Sequence, residues 1–527
     1  MKPFYDYIIK RKNKIILSVM IFFSFFCAIT IGQAWDEGFH LIQGKVILNY
    51  LLSFGRIDQE ILYRENYSAI YWSLSHFITN FFPRRFELEV SHVINTIFSI
   101  FTIIGIGKIS KEIFNKRVGQ ITFLLLFFFP VFFGHMAINS KDTILAFCHV
   151  WIVWSFLKYM KFQDIDNKSN YYIYSIALLA ATGTGIQLVF LGSILPIIFF
   201  FIIDILFLKL FIEEKFNIKK FFLDILKCFI LFYIILLFFW VDAHKNPLTL
   251  PYKFLLETFS DNYWTGWPFS LINGEYIIST NTPKTYLISN LLFKTPEYIL
   301  FLYIFFFYIF ITKNKFLSKR YSFFNKKILF VFLILIFPHL LLFFVPYPLY
   351  DGLRLFLWVI PYFCILPAVS INYFIEKFEF KTIKFLSTIT TCLCLFFLLN
   401  FFSLTPYQYT YLNVFAGNKN LLHKKFENDY WGASIKELIS NTNFSKDEKI
   451  LLYSCGMNGG VLDKYLSIKY KNNFKMVPLE NANYIFMTNR TLMDDNGLPT
   501  NCYDKFPGKN IYSVTKNNVI LSVVRKL

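Results

Sequence analysis

Two adjacent carboxylates, Asp36 and Glu37, stand directly after the first long apolar run, Ile15 to Ala34. Charges beside hydrocarbon are costly to desolvate, so a pair at that edge reads as a catalytic or ion-binding position. Similar groups recur in two later turns. One is Gly134-His135-Met136-Ala137-Ile138-Asn139-Ser140-Lys141-Asp142, and the other is Tyr347-Pro348-Leu349-Tyr350-Asp351-Gly352-Leu353-Arg354. If the elements bundle, Asp36, Glu37, His135, Lys141, Asp142, Asp351 and Arg354 reach one cavity. Carboxylates there can deprotonate an acceptor hydroxyl, and Asp36 and Asp142 are the pair that would hold a divalent cation such as Mg or Mn. Lys and Arg neutralise a departing phosphate.

Each residue also has a plainer role. Asp36 and Glu37 can mark a solvated helix end, and Asp142 can cap the run that follows it. Arg354 can snorkel toward headgroups, and His135 suits a hydrogen-bonded interfacial position. The aromatic run Tyr263-Trp264-Thr265-Gly266-Trp267 fits an interfacial belt as well as a sugar platform.

The elements that must position these groups are membrane spans. Of 527 residues, 56% are hydrophobic and 21% aromatic, with 69 Phe, and the mean hydropathy is +0.47. This excludes a soluble enzyme for most of the chain. About eleven apolar blocks have the length of a spanning helix. They lie near residues 15–34, 92–109, 120–134, 143–160, 171–187, 189–208, 222–240, 296–312, 328–345, 353–372 and 385–402, with Thr182-Gly183-Thr184-Gly185 read as the turn between the fifth and sixth.

The net charge of +19 is a topology signal and does not point to nucleic acid. Lys and Arg crowd alternate connections, among them Met1–Lys14, Lys108–Arg117, Lys209–Lys227 and Lys313–Lys327. The positive-inside rule makes these cytoplasmic. The N-terminus is then inside, its apolar run an uncleaved signal anchor, and the C-terminus outside.

Two domains are expected. Residues 1–402 form a transmembrane domain with outer loops 35–91 and 242–295, and residues 403–527 form an extracytoplasmic α/β domain. Its apolar patches Ile450-Leu451-Leu452-Tyr453 and Tyr484-Ile485-Phe486-Met487 read as buried strands. Six cysteines (Cys27, Cys148, Cys228, Cys364, Cys392 and Cys394) fall in or beside spans as buried thiols, whereas Cys455 and Cys502, outside, are expected to form a disulfide.

The ordered motifs resemble the C-superfamily (GT-C) of membrane glycosyltransferases, in the branch that holds protein O-mannosyltransferases and the lipid A aminoarabinose transferase. They are the acidic pair after span one, the turn ending in Lys141-Asp142, Phe293-Lys294-Thr295-Pro296 before span eight, and Tyr350-Asp351-Gly352-Leu353-Arg354. Pro406-Tyr407-Gln408-Tyr409-Thr410-Tyr411-Leu412-Asn413 and Asp429-Tyr430-Trp431-Gly432 also look like segments of bacterial members.

The resemblance implies a GT-C-like helical fold and inverting transfer of a sugar from a polyprenyl-phosphate-linked donor to a lipid, glycan or protein hydroxyl outside the bacterial cytoplasmic membrane. By position it implies Asp36 as the base, Glu37 and Asp142 as further acidic residues, and Lys294 and Arg354, with Lys141 beside Asp142, against the donor phosphate. Many members carry a His-Pro-Pro-Leu-like segment in the first outer loop where this chain reads Glu65-Asn66-Tyr67-Ser68-Ala69-Ile70-Tyr71. The rival class is a transporter or lipid flippase, in which the same charges would bind an ion or a headgroup.

Overall fold

The computed structural model describes residues 2–56, 68–213, 215–258, 266–344, 347–377, 395–444, 449–471 and 473–527, with side chains from residue 14 onward. Among the described residues, five helices are long and apolar enough to span a membrane: Arg84–Ile113, Asp142–Phe162, Phe190–Leu208, Ile218–Phe239 and Phe324–Phe344. Tyr286–Lys294 and Glu297–Thr312 form a further pair, bent by 115°, and Lys14–Thr30 is a shorter apolar helix. With no water in hydrocarbon to satisfy backbone groups, helices are the form such apolar blocks must take.

Several expected spans are broken, for local reasons. The block at 120–134 divides into Lys116–Phe127 and Pro130–His135, because Pro130 lacks an N–H to continue the first helix and suits the first turn of the second. The block at 353–372 is split into Arg354–Phe356, Ile360–Phe363 and Ile365–Lys377. The glycines at 183 and 185 do not turn the chain, since the helix Asp166–Ile186 runs through them and the break follows at Gln187. Gly183 instead admits the ring of Phe190, which a Cβ there would meet at 2.3 Å. Of the last expected span, residues 378–394, which include Cys392 and Cys394, lie outside the described residues, and 395–403 are helical.

The first outer loop folds as the helices Glu37–Leu52 and Ile70–Thr79. The second contains the hairpin Phe269–Ile272 with Glu275–Ile278. Beyond residue 403 the two expected strands form the parallel centre of a five-stranded mixed sheet, Ile450–Cys455 beside Tyr484–Thr488. Phe474–Met476 flanks the first strand, and Val519–Lys526 then Asn510–Lys516 extend antiparallel from the second. The helices Ile435–Asn441 and Gly459–Tyr470 accompany the sheet. Cys455 and Cys502 are joined by a disulfide, with Cα atoms 5.8 Å apart.

One apolar core runs from Cys27 and Phe129 in the bundle through Trp431 to Leu462 and Val524 in the sheet domain. The sheet domain is therefore packed onto the bundle, and its contacts hold the turn that carries Asp36.

Candidate active site

Asp36 lies in the turn between the N-terminal helix and Glu37–Leu52. The sheet domain grips this turn at four points. Tyr465 Oη accepts the Gln33 N–H at 2.9 Å, Lys464 Nζ donates to Gln33 Oε1 at 2.8 Å, Asn458 Nδ2 donates to the Trp35 carbonyl at 3.1 Å, and the Trp431 carbonyl accepts the Trp35 N–H at 3.0 Å.

Glu37, the neighbour in sequence, faces elsewhere. Its Oε2 accepts the Ala34 N–H at 2.6 Å and its Oε1 lies 2.7 Å from His92 Nε2, while His92 Nδ1 lies 2.9 Å from the Ala28 carbonyl. Glu37 is buried in this pairing, with the ends of two helices joined through it. The expectation that both carboxylates serve one cavity is corrected here.

Asp36 does meet the later turns, through Arg354. The guanidinium lies 3.2 Å from Asp36 Oδ2, 3.4 Å from Asp142 Oδ2 and 3.0 Å from Asp351 Oδ2. Its Nη2 donates to Tyr350 Oη at 3.4 Å, and its face lies over Trp431. Arg354 is thus buried among three carboxylates and two rings, and the snorkelling reading does not apply.

Backbone geometry makes this possible. Asp351 and Gly352 both have left-handed φ, +58° and +67°, which folds the Asp351 carboxylate back onto Arg354. At Gly352 the left-handed turn favours glycine, and a Cβ would also lie 2.3 Å from Lys294 Nζ, which would have to move aside.

The carboxylates differ in access. Asp142 and Asp351 side chains are 4% and 2% exposed, whereas Asp36 is 36% exposed. Burial raises the Asp36 carboxyl, but Arg354, helped by His40, Lys141 and Arg490, outweighs it and holds Asp36 below the ordinary carboxylate range. Asp142 does not cap its own helix. Asn139 does so, its Oδ1 accepting the Asp142 N–H at 2.8 Å while its Nδ2 donates to Asp142 Oδ2 at 2.9 Å.

Three expected members stand beside the cluster. His135 is fully buried, its Nε2 2.8 Å from Tyr430 Oη with Tyr409 and Trp431 packed around it. Burial, then Arg354 and Lys294, push its imidazole well below the usual value, so it serves as a neutral packed ring. Lys294 is buried with its ammonium over the Tyr430 ring, and it has no hydrogen bond or ion pair among the described residues. Lys141 sits in the same turn as Asp142 and adds positive charge near Asp36.

Arg490 was not anticipated. It follows the strand Tyr484–Thr488 and reaches Asp351 Oδ1 at 2.6 Å and the Tyr430 carbonyl at 2.9 Å. Its guanidinium lies 4.3 Å from the Trp267 ring centre, and Trp267 in turn packs edge-on against Trp35. Trp267 is therefore neither a belt residue nor a free platform, and Tyr263, Trp264 and Thr265 lie outside the described residues. The place of Arg490 at the carboxyl end of a parallel strand was the available sequence signal.

The carboxylates do not fit a metal site. Arg354 stands between Asp36 and Asp142 and already supplies the positive charge a divalent ion would bring. Among the described residues, no three His, Cys, Asp or Glu side chains converge to hold a metal.

Next to the cluster opens an apolar cavity of about 470 Å³. Leu287 and Leu291 line it from the helix that ends in Lys294. Leu353 and Phe356 line it from either side of Arg354, and Phe332 and Leu335 from a spanning helix.

A family model described as dolichyl-phosphate-mannose-protein mannosyltransferase matches residues 74–240. No curated protein matches the chain. Among solved structures, ArnT from Cupriavidus metallidurans in the apo state superposes with a TM-score of 0.53 at 12% identity, covering 98% of each chain. The same protein bound to undecaprenyl phosphate gives 0.52 at 11%, covering 97% of each. The chain therefore shares the fold of ArnT over nearly its whole length.

Proposed function

We propose that this protein transfers a sugar from a polyprenyl-phosphate-linked donor to a hydroxyl-bearing acceptor at the outer face of the bacterial cytoplasmic membrane. The observation that carries this reading is the placement of one accessible carboxylate, Asp36, on an arginine hub beside an apolar cavity, one of whose lining helices ends in Lys294, a buried lysine with no ion pair within 4 Å among the described residues and with Glu427 and Asp351 nearby. The cavity suits an isoprenoid tail, and Lys294 suits the phosphate. The likeness to ArnT, one of whose structures holds undecaprenyl phosphate, supports the same lipid class.

In the proposed reaction the acceptor oxygen attacks the anomeric carbon and the bond from that carbon to the phosphate oxygen breaks. The hydroxyl proton passes to Asp36, and polyprenyl phosphate leaves against Lys294. Transition states at anomeric carbons carry oxocarbenium character, so the proton leaves late. A carboxylate of lowered basicity, charged at neutral pH, then orients the hydroxyl and takes its proton as the new bond forms.

Arg354, expected at the phosphate, is reassigned. Three carboxylates surround the guanidinium and its Nη1 is taken by Asp36 and Asp351, so we assign it to orienting Asp36, with only Nε left without a hydrogen bond among the described residues. The charged groups sit in turns and at a helix start, not in mid-span, which disfavours the transporter reading.

The test uses membranes containing the protein and labelled polyprenyl-phosphate sugars. Transfer of label to a lipid, glycan or protein, abolished in Asp36→Asn with the chain still membrane-inserted, supports the assignment. Normal transfer by Asp36→Asn would overturn Asp36 as the base.

A further inference from the structure

The arginine hub is built from both ends of the chain, and its second cation comes from the sheet domain. Asp351 Oδ2 takes Arg354 at 3.0 Å while Oδ1 takes Arg490 at 2.6 Å, so one buried carboxylate is shared between two guanidiniums. Without Arg490, Asp351 would keep Arg354 as its only ion pair within 4 Å among the described residues, with Lys294 farther off, and Arg354 would be drawn from Asp36 toward it. The chain of contacts runs Arg490, Asp351, Arg354, Asp36. Each link is a charge-assisted contact, and three of the four side chains are buried.

Arg490 is itself held firmly. Its N–H donates to the Thr488 carbonyl at 2.8 Å, and its carbonyl accepts the N–H of Cys502, which is disulfide-bonded to Cys455. Gly456 presses against it so closely that a Cβ there would lie 2.5 Å from Arg490 Cβ. Trp267 covers the guanidinium on one face. A loop fixed by a disulfide, a strand end and a stacked ring delivers one cation to Asp351.

We propose that Arg490 is a positioning residue which, by occupying one side of Asp351, leaves Arg354 free to hold Asp36 in its working orientation and charge state, so that the sheet domain is an obligate part of the catalytic centre. The catalytic consequence rests on the function proposed above. The electrostatic consequence does not. Arg354, Arg490, Lys141 and His40 face Asp36 as positive or titratable groups, and Asp142 and Asp351 approach through Arg354. Losing Arg490 removes a cation and weakens the Arg354 contact, both of which favour protonated Asp36. Losing Asp351 does the reverse, because both guanidiniums are left to the remaining carboxylates.

The experiment labels the detergent-solubilised full chain with a hydrophobic carbodiimide, which reacts with protonated carboxyls, across a pH series, and reads Asp36 modification by peptide mass mapping. Arg490→Gln is expected to move the midpoint for Asp36 to higher pH, with a several-fold faster reaction at mildly acidic pH. Arg490→Lys restores most of the wild-type profile. Asp351→Asn moves the midpoint to lower pH, and this opposite sign carries the test by itself where Arg490→Gln fails to fold. A midpoint unmoved in Arg490→Gln, or moved the same way by both variants, would overturn the proposal.

In parallel, the acid limb of the pH dependence of kcat should follow the labelling midpoint. If labelling shifts as expected but the wild type transfers no sugar, the proposed function fails and the positioning role of Arg490 stands. If the wild type transfers sugar but labelling does not shift, the positioning role fails and the function stands.

Discussion

Asp142 Oδ2 lies 3.4 Å from Arg354 Nε, yet Arg354 Nε and the other oxygen, Asp142 Oδ1, are both buried without a hydrogen bond among the described residues. A buried polar atom left unpaired costs about 1–3 kcal/mol, and two beside one contact are a cost that a bound group could relieve. We propose on this ground that Asp142 meets the bound substrate.

Asp142→Asn keeps the shape and the Asn139 contact but removes the charge facing Arg354. Its kcat is expected to fall by about 10- to 100-fold, a loss of roughly 1.4–2.7 kcal/mol of transition-state stabilisation. Steady-state kinetics on the purified variant check this. Wild-type kcat would return Asp142 to a purely local role.

In the proposed reaction Asp36 sets the acid side of the pH dependence. Its folded pKa is depressed, so the stability it contributes through Arg354 is present above the unfolded value of about 3.9 and is lost as pH falls through the lower folded value. Transfer is expected to persist through mildly acidic pH and to fall below the range of an ordinary aspartate. Arg354→Gln should bring that limb upward, read as kcat against pH in both proteins.

Lys294 tests the donor site. An unpaired buried ammonium stabilises a phosphate most when the phosphate is fully charged, in the bound donor and in the leaving group. Lys294→Met preserves the apolar stem, and it is expected to raise the KM for the polyprenyl donor by about 10- to 100-fold and to weaken inhibition by free polyprenyl phosphate by a similar factor. Unchanged inhibition would place the phosphate elsewhere.

The hub was legible because charge beside apolar sequence is rare and costly. Asp36, Asp142, Asp351 and Arg354 each announced themselves that way, although nothing in the spacing said that Arg354 would face carboxylates. Glu37 misled by adjacency: neighbouring residues at a helix start point about 100° apart, so a pair in sequence need not share a cavity. Arg490 was one basic residue among many in a polar segment, where desolvation gives no signal. The two expected strands were read correctly from their continuous apolar runs, and they pair in parallel at the sheet centre. The broken spans were missed because hydropathy registers apolar length and is blind to where Pro130 interrupts the backbone ladder.

Glu37 and His92 give the last prediction, in which stability moves first. Glu37 Oε1 and His92 Nε2 are 2.7 Å apart, with side chains 6% and 0% exposed, and both ring nitrogens of His92 face oxygen atoms. Replacing His92 with Leu leaves the Glu37 carboxylate buried without this partner and the Ala28 carbonyl without its donor. Breaking such a pair costs about 3–5 kcal/mol, whereas replacing both members by apolar residues of similar volume costs far less. Thermal unfolding in detergent should therefore show a large loss for His92→Leu and partial recovery for His92→Leu combined with Glu37→Met. Activity per folded molecule should stay within a few-fold of wild type in the double variant, because Asp36 is still held by Arg354 and by the Tyr465, Asn458 and Trp431 contacts on its turn. Loss of transfer in a double variant that remains folded would show that Glu37 takes part in the chemistry after all.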